Sequence, residues 1–377
     1  MSTLDGHSSS NAISMKSSFS DAPRIGIVTW DFDPPRGGLG RALQEMVHAL
    51  RERHVHVDVY TVIQTSFFSR LLFSISLLWK LSRWVNRHRI DLLLLPTGPG
   101  GLFLMRRLKN CRCIVLSYHT YLQQARYVPG EWWKAIFVPF ERHTFNLADS
   151  VFCYCEDTQN ILRKEYGVRD IRLLPQILEV EPWMSKGVSE QCRCDGSMVR
   201  QCSPQAPLIM THRHYQKHLC LFIGRPDRRK GIHVLWRAWK GVSECLPDAK
   251  LRIIQHGDLP QAELIALVQS ADLVICPSYL EGFGLVAVEA MAAGTPVIAC
   301  DSDGIRSLIR HAETGWLVPR GDAIALAQGI TRLLMDESLR KRLAVAAQKD
   351  VRLRFERQKS VSALLQTVLE IRDSSPD

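Results

Sequence analysis

Two glutamates eight positions apart, Glu281 and Glu289, are the first candidates for chemistry in this sequence. An apolar run ahead of Glu281 predicts a buried strand, the glycines after it predict a tight loop, and residues 285–293 predict a helix. Because a helix rises about 1.5 Å per residue, Glu289 would lie one to two turns below the free amide groups of residues 284–286. Such amide groups suit a phosphate, and carboxylates accept hydrogen bonds from hydroxyl groups. The pattern favours a ligand with both, as in a nucleotide sugar, over the alternative of two solvated glutamates on an ordinary strand–helix unit.

A second cluster of charged residues follows a predicted strand within residues 219–231, LCLFIGRPDRRKG. Arg225 can bind two phosphate oxygens with its planar guanidinium, and Lys230 can add a point charge after a short turn. The spacing therefore predicts a diphosphate clamp, with surface salt bridges as the alternative. The two arginines between them, Arg228 and Arg229, are expected to be solvated.

The chain carries a third glycine-rich turn near its beginning, between a predicted strand at 24–30 and a predicted helix at about 39–53. A strand, a glycine-rich turn and a helix form a phosphate-binding arrangement. The spacing does not meet the dinucleotide-binding fingerprint, which requires Gly-x-Gly-x-x-Gly. Gly37 and Gly38 are therefore candidates for diphosphate binding, with a simple tight turn as the alternative.

The stretch from Glu281 to Leu285 with Glu289, set within PSYLEGFGL and AMAAGTPVIA, resembles the Glu-x7-Glu motif of family-4 retaining glycosyltransferases of the GT-B fold. The resemblance covers about residues 24–372 and is strongest over 219–322. It implies an α/β protein in which two Rossmann-like doubly wound domains face each other across a cleft. It also implies sugar transfer from a nucleoside-diphosphate sugar to a hydroxyl acceptor, such as a glycan, a glycolipid or a polysaccharide precursor, with retention of anomeric configuration and without a metal or other cofactor.

The resemblance assigns roles residue by residue. Glu281 would orient the sugar hydroxyls, Glu289 would bind the ribose, and a histidine at a strand end, His119, would line the acceptor side. The implied catalytic residues are Glu281, His119, Arg225 and Lys230, and the implied donor-binding residues are Gly37, Gly38, Gly224, Phe283, Gly284, Leu285 and Glu289.

Several positions depart from the family pattern. Gln176 and Ile177 replace the usual Asn-Gly, Cys155 replaces a serine, and Ser307 replaces a glutamate. The region that helps to hold the nucleotide base is shortened after residue 258, so the base is not implied. Two alternatives therefore stay open, a GT-B nucleotide-sugar 2-epimerase and a non-catalytic nucleotide-sugar-binding partner in a membrane assembly.

The alternation of predicted strands and helices runs twice along the chain. It predicts two α/β domains, at 24–180 and 219–350, and the resemblance implies that the first lies on the acceptor side and the second binds the nucleotide sugar. The sequence further predicts a flexible Ser-rich leader at 1–23, a linker or insertion at 181–218, and a C-terminal helix and tail at 351–377, which the resemblance implies cross back to the first domain.

The composition of the chain indicates which binding partners and which cellular compartment to expect. The 377 residues are 46% hydrophobic and carry a net charge of +10, which favours anionic partners. No motif for nucleic-acid binding accompanies that charge, so nucleic acid is not expected. The 11 cysteines are an odd number, and a chain of this size does not need disulfides, so a reducing cytoplasmic location is predicted.

No metal is expected. The Asp-x-Asp tripeptides at 31–33 and 301–303 are common by chance among 38 acidic residues. The cysteines and histidines of the linker match no standard zinc spacing, and a mobile loop is the simpler interpretation.

A basic and aromatic segment at 67–87 predicts a helix that could lie on a membrane. Lys80, Arg83 and Arg87 share one face, and aromatic and aliphatic residues including Trp79 lie opposite. The segment therefore predicts peripheral attachment to an anionic membrane at its inner face. Packing of the same helix against the first sheet is the alternative.

Overall fold

The structure is a computed structural model, which describes residues 23–33, 35, 37–61, 67–97, 103–185, 218–255 and 257–374. The side chains of several residues between 67 and 78 are not described. The leader up to residue 22 and most of the predicted linker, residues 186–217, lie outside the described residues.

The first domain is built on a six-stranded sheet whose paired strands all run parallel, in the order β2-β1-β3-β4-β5-β6. Its strands are nearly continuous apolar runs, as expected of strands covered on both faces. They are β1 (Ile25–Val28), β2 (Val57–Tyr60), β3 (Leu92–Thr97), β4 (Arg112–Ser117), β5 (Ser150–Cys153) and β6 (Ile171–Leu173). The helices of this part of the chain are α1 (Gly38–Glu52), α2 (Phe67–His88), α3 (Tyr121–Tyr127), a 3-10 helix (Trp132–Phe137), α4 (Val138–Leu147), α5 (Glu156–Lys164) and α6 (Glu181–Met184).

The second domain is built on a five-stranded sheet, again with parallel pairs, in the order β11-β10-β9-β7-β8. Its strands are β7 (His218–Ile223), β8 (Ala249–Ile254), β9 (Leu273–Cys276), β10 (Val297–Cys300) and β11 (Trp316–Val318). Its helices are α7 (Ile232–Cys245), α8 (Gln261–Ser270), α9 (Leu285–Ala292), α10 (Ala323–Met335) and α11 (Glu337–Arg354). The two doubly wound sheets confirm the predicted α/β fold class.

The strand order of each sheet fixes where a ligand can bind. In the first sheet the chain reverses its direction of growth between β1 and β3, and in the second between β7 and β9. Crevices of doubly wound sheets open at the carboxyl ends of the strands at these reversal points. The loops that follow β1, β7 and β9 are therefore the ones positioned to form a site.

The last helix, α12 (Arg357–Asp373), returns to the first domain. Its buried residues Val361, Leu364 and Val368 belong to the same apolar cluster as Leu43 of α1. Arg357 also pairs with Glu52 at the end of α1. The helix thus ties the end of the chain to the domain with which the chain begins.

Residues 132–147 form two successive helices, the 3-10 helix and α4, and Pro139 lies at the start of α4, a position that proline tolerates well. His218, which was assigned to the linker, is the first residue of β7 and pairs with Ala249 of β8.

The described cysteines are free thiols: Cys111, Cys113, Cys153, Cys155, Cys220, Cys245, Cys276 and Cys300. Cys245 is exposed and the others are buried. None of the helices in the described ranges is both long and apolar enough to cross a bilayer.

Gly231 is where the turn after β7 meets the loop after β9. It has a φ of 71°, and a Cβ placed there would clash with the carbonyl oxygen of Pro277 and come within 2.8 Å of its carbonyl carbon. Gly257 has a similarly positive φ of 91° but would meet nothing within 4 Å.

We therefore predict that Gly231→Ala lowers the free energy of unfolding by about 3 kcal/mol or more, through both backbone strain and the clash. Gly257→Ala, the matched control, carries only the strain and should lose about 1 kcal/mol. Urea unfolding of both variants followed by circular dichroism measures the difference. Equal losses would contradict the assigned contact with Pro277.

Candidate functional site

Glu281 lies at the centre of the candidate site, on the loop after β9. Its carboxylate accepts hydrogen bonds from Lys230 Nζ at 2.6 Å and from Ser278 Oγ at 2.6 Å, both to Oε1. The residue is only 8% exposed. Two loops that follow neighbouring strands, β7 and β9, therefore meet at one buried carboxylate.

Arg229 completes this cluster, contrary to the expectation that it is solvated. Its Nη1 donates to the carbonyl oxygen of Leu280 at 2.9 Å and lies 3.5 Å from Glu281 Oε2. The backbone explains why the Arg229 side chain points toward Glu281. The amide of Tyr279 donates to the carbonyl of Arg229 at 2.8 Å and holds the two loops side by side. Spacing along the chain carried no signal that would distinguish Arg229 from its exposed neighbour Arg228.

The cations keep Glu281 ionised. Burial alone would raise its pKa, but Lys230 and Arg229, with the hydrogen bond from Ser278, outweigh burial and hold the pKa of Glu281 at about 2. The carboxylate is thus a permanent acceptor at physiological pH. It is suited to receive sugar hydroxyl groups and unsuited to donate a proton.

His119 follows β4 and faces the same loop from the first domain. A Cβ on Gly282 would lie 2.8 Å from Tyr118 Cβ and 3.4 Å from His119 Nδ1, so only glycine lets the Glu281 loop approach this closely. Burial, followed by the nearby Arg229, lowers the pKa of His119 to about 3. The imidazole is therefore neutral at physiological pH, and it can exchange hydrogen bonds with a hydroxyl group without adding charge.

Arg225 does not join the cluster. Its side chain is 60% exposed, and its Nε lies 3.7 Å from Asp227 Oδ2. Of the four predicted catalytic residues, the structure therefore brings Glu281, Lys230 and His119 together, and it leaves Arg225 on the open side of the β7 loop. Gly224, the preceding predicted residue, has a φ of 144°, and the side chain of Lys230 passes 3.5 Å from where its Cβ would be.

The remaining donor-binding candidates lie around the start of α9. Gly284 precedes the helix in a left-handed conformation, and a Cβ on Gly38 would lie 3.4 Å from Leu285 Cδ1. The Gly37–Gly38 turn of the first domain thus lies against the first residue of α9. Phe283 packs edge-to-face on Phe355 at 5.6 Å between ring centroids, so its backbone alone is available to a ligand.

Arg41 is a residue of the site that sequence analysis missed. It lies on α1 and forms an ion pair with Glu289 on α9, across the two domains. Glu289 is 7% exposed. Arg41 follows Gly38 by three positions, which places it near the turn, but nothing in the sequence shows that it reaches a residue 248 positions away.

A charged cavity of about 460 Å³ lies elsewhere between the domains, bordered by α3, α5 and the loops after β10 and β11. Asp303 accepts hydrogen bonds there from Gln123 of the first domain at 3.0 Å and from Arg320 at 2.9 Å. Arg306 also reaches Asp157 at 3.2 Å. These groups are engaged with one another across the domains, and Glu281 is not among the residues that line the cavity.

Within the described part of the chain, no three histidine, cysteine, aspartate or glutamate side chains are placed to hold a metal ion. The Cys/His-containing segment at 192–214 lies outside the described residues.

Two family models match the chain. Residues 36–181 match the model of Glycosyltransferase Family 4, and residues 252–350 match that of Glycosyl transferases group 1. Together the matched residues form more than half of the chain and include His119, Glu281 and Glu289, whereas Arg229 and Lys230 lie between the two matched ranges. The protein belongs to the family-4 glycosyltransferases of the GT-B fold.

Curated relatives match over part of their length. A phosphatidyl-myo-inositol mannosyltransferase of Mycobacterium leprae is 42% identical over 154 residues, which are 35% of this chain and 41% of the relative. A D-inositol 3-phosphate glycosyltransferase of Corynebacterium diphtheriae is 36% identical over 155 residues, 33% of this chain and 36% of the relative. The match thus spans about two fifths of each of these relatives.

Solved structures match over nearly the whole chain. Sucrose-phosphate synthase from Thermosynechococcus elongatus has a TM-score of 0.77 at 19% identity, over 94% of this chain and 100% of that one. HepE from Anabaena in complex with UDP and glucose has a TM-score of 0.66 at 17% identity, over 92% of this chain and 99% of that one. These similarities establish the two-domain GT-B fold.

The buried Glu281 generates a prediction about acid stability. Its pKa lies near 2 when folded and near the ordinary 4.5 when unfolded, so its ionisation stabilises the fold above pH 4.5, and this contribution is lost as the pH falls toward 2. Relative to Glu281→Gln, the wild type should therefore lose about 2 kcal/mol of unfolding free energy between pH 5 and pH 3. Urea unfolding across that range measures it. Glu313→Gln, which removes an exposed ion pair with Arg310, is the control and should show almost no such trend.

Proposed function

We propose that this protein is a retaining glycosyltransferase that moves a sugar from a nucleoside-diphosphate sugar to a hydroxyl acceptor. One observation carries the proposal, the convergence of Glu281, Lys230 and His119 at the meeting of three strand ends from two domains. A cation, a fixed anionic acceptor and a neutral imidazole are the groups that a leaving diphosphate, a sugar and an acceptor hydroxyl require.

Each group has a distinct task in this proposal. Lys230 stabilises the negative charge that develops on the diphosphate as the glycosidic bond breaks, an electrostatic effect aimed at the transition state. Arg229 stays on Glu281 and keeps it ionised while Lys230 engages the phosphate. Glu281 orients the sugar hydroxyls, and His119 lines the acceptor side. No side chain is assigned as a covalent nucleophile, and retention is inferred from the family resemblance.

The donor site continues along α9. The amide groups of residues 284–286 lie at the start of α9, where the Leu285 side chain approaches Gly38, and in this proposal they bind phosphate oxygens, while Glu289 one turn later accepts from ribose hydroxyls. The HepE structures with UDP and with UDP-glucose support a nucleotide sugar as the donor class. The names of the curated relatives, which include a mannosyltransferase, support a hexose as the transferred group.

Binding of a donor is the first test. The full chain should be stabilised by one or more of the uridine, guanosine and adenosine diphosphate sugars, by about 2.7 kcal/mol at a hundred times Kd. Thermal denaturation with each donor measures this, and Lys230→Met should lose most of the stabilisation because the phosphate loses its cation. Lys250→Met removes an exposed lysine of β8 and should behave as wild type. Loss of stabilisation in both variants, or no stabilisation of the wild type by any donor, would contradict the proposal.

The two alternatives give different results with the donor that binds. A 2-epimerase would exchange solvent isotope into the donor without an acceptor. A silent binding partner would show donor stabilisation without any release of nucleoside diphosphate. Transfer with a retained anomeric proton coupling in the product, abolished by Glu281→Gln, is the result expected of the glycosyltransferase.

We also propose that the first domain attaches to an anionic membrane through α2. Phe73, Leu77 and Leu81 are buried in the apolar cluster of the first sheet. One face of α2 therefore packs against the sheet, as the alternative interpretation expected. The opposite face exposes Trp79, which is 68% exposed, beside Arg83. The sequence pattern put Trp79 on the face opposite Lys80 and Arg83, but its side chain is exposed on the same side as these residues.

The first domain exposes other apolar side chains as well. Trp132 is 75% exposed and Ile136 is 62% exposed, both on the 3-10 helix. The segment at 106–109 before β4 is basic, and its Arg106 donates to Ser82 of α2 at 3.1 Å. Aromatic rings beside arginines are typical of helices that lie in the membrane interface.

Vesicle sedimentation tests this attachment. Two lost cations predict a loss of about 2 kcal/mol, so Lys80→Glu with Arg83→Glu should bind phosphatidylserine-containing vesicles at least 30-fold more weakly than wild type. The control is Lys341→Glu with Lys359→Glu, which makes the same change in net charge at exposed positions of α11 and α12. Absence of wild-type binding at low salt, or equal loss in both variants, would refute the role of α2.

A further inference from the structure

Arg41 connects the two halves of the donor site. It lies in the first turn of α1, where its amide donates to the carbonyl of Gly37 at 3.2 Å. Its guanidinium crosses to the second domain and pairs with Glu289 through Nη2 and Oε1. The side chains are 27% and 9% exposed, so the pair is largely removed from water.

The location of the pair distinguishes it from the surface ion pairs of this protein. Glu289 lies one turn beyond Leu285, and Leu285 is the residue that Gly38 faces. Arg41 therefore spans the gap between the glycine turn and the helix start, the two backbone segments proposed to bind the diphosphate. The Lys341–Glu337 pair, by contrast, has side chains that are 75% and 67% exposed. It joins two positions of the same helix and connects no proposed donor-binding segments.

The chemistry of a nucleotide places Arg41 close to the phosphate. The ribose carries its diphosphate one methylene group away, so a cation in contact with the carboxylate that receives the ribose lies within reach of a phosphate oxygen. A guanidinium presents five N–H donors in a plane, so it can contact a carboxylate with one edge and a phosphate with another. The ion pair and the phosphate contact are thus compatible.

We propose that Arg41 is a donor-binding residue contributed by the first domain, whose guanidinium binds the nucleotide diphosphate beside Glu289. This inference rests on the proposed function and deepens it by assigning the phosphate recognition partly to the facing domain. It also couples donor binding to the contact between the domains, because Arg41 and Glu289 belong to different domains.

The proposal predicts the sign and the ligand dependence of a mutational effect. If Arg41 binds phosphate, its removal weakens binding of a nucleoside diphosphate far more than binding of the nucleoside. If Arg41 only paired with Glu289 and so competed with the ribose for that carboxylate, its removal would tighten binding of both ligands. If it only held the domains together, both would weaken equally.

The experiment is titration calorimetry of the full chain with uridine, guanosine and adenosine diphosphates and with the three nucleosides. For the base that the wild type binds, Arg41→Ala should weaken diphosphate binding about tenfold or more and nucleoside binding less than threefold. Arg41→Lys retains the charge but not the planar fork, so its diphosphate affinity should lie between those of the wild type and Arg41→Ala. Arg53→Ala is the control, because it removes an arginine from the end of the same helix, where Arg53 contacts Gln358.

Every outcome decides the inference. Unchanged, tighter or equally weakened binding of the two ligands by Arg41→Ala overturns the role of Arg41 and leaves the proposed function intact if the wild type binds. Failure of the wild type to bind any of the three diphosphates overturns the proposed function and the inference with it. Melting temperatures of the variants without ligand identify a variant that fails to fold, and Arg41→Lys then carries the comparison.

Discussion

The ionised carboxylate of Glu281 in a buried position is the interaction on which the rest of the site depends. A buried carboxylate without partners would cost several kcal/mol and would take up a proton instead. Lys230 and Arg229 prevent this, and both come from one short loop after β7. That loop must therefore stay against the loop after β9, and the absence of a side chain at Gly231 permits the close approach at Pro277.

This constraint also determines how the first domain can meet the second. The contacts between them near the site include, besides the Arg41–Glu289 ion pair, close approaches at glycines, Gly282 against Tyr118 and Gly38 against Leu285. Glycine contacts bury little apolar area, so they set the spacing of the two domains near the site but add little to the free energy that holds the domains together. Polar contacts such as Gln123–Asp303 at 3.0 Å lie further along the same interface. Neither domain holds the site alone, because His119 belongs to one and Glu281 to the other.

The sequence predicted what local patterns determine. Apolar runs gave the strands, and parallel strands present their carboxyl ends at one edge, so residues placed just after β7 and β9 of the second sheet could be expected to meet. That His119, after β4 of the first sheet, faces them followed only from the resemblance to a two-domain family. Which side chain of a charged run points inward is a different matter, because it depends on the loop packed against it. Arg229 rather than Arg225 contacts Glu281 for that reason, since the amide of Tyr279 fixes the backbone at Arg229. The Arg41–Glu289 pair joins residues 248 positions apart, and no periodicity spans such a distance.

The shape of the second sheet adds a further consequence for donor recognition. β8 is an edge strand, and only six residues, 255–260, separate it from α8. Among them, the amide of Gln255 donates to Asp258 at 2.7 Å. A connection this short offers little surface for a nucleotide base beside the strand. More of the donor's binding free energy must then come from its diphosphate and ribose, whose proposed partners lie on both domains. Donor affinity in this protein would accordingly depend on the approach of the two domains, because the cations and carboxylates concerned are divided between them.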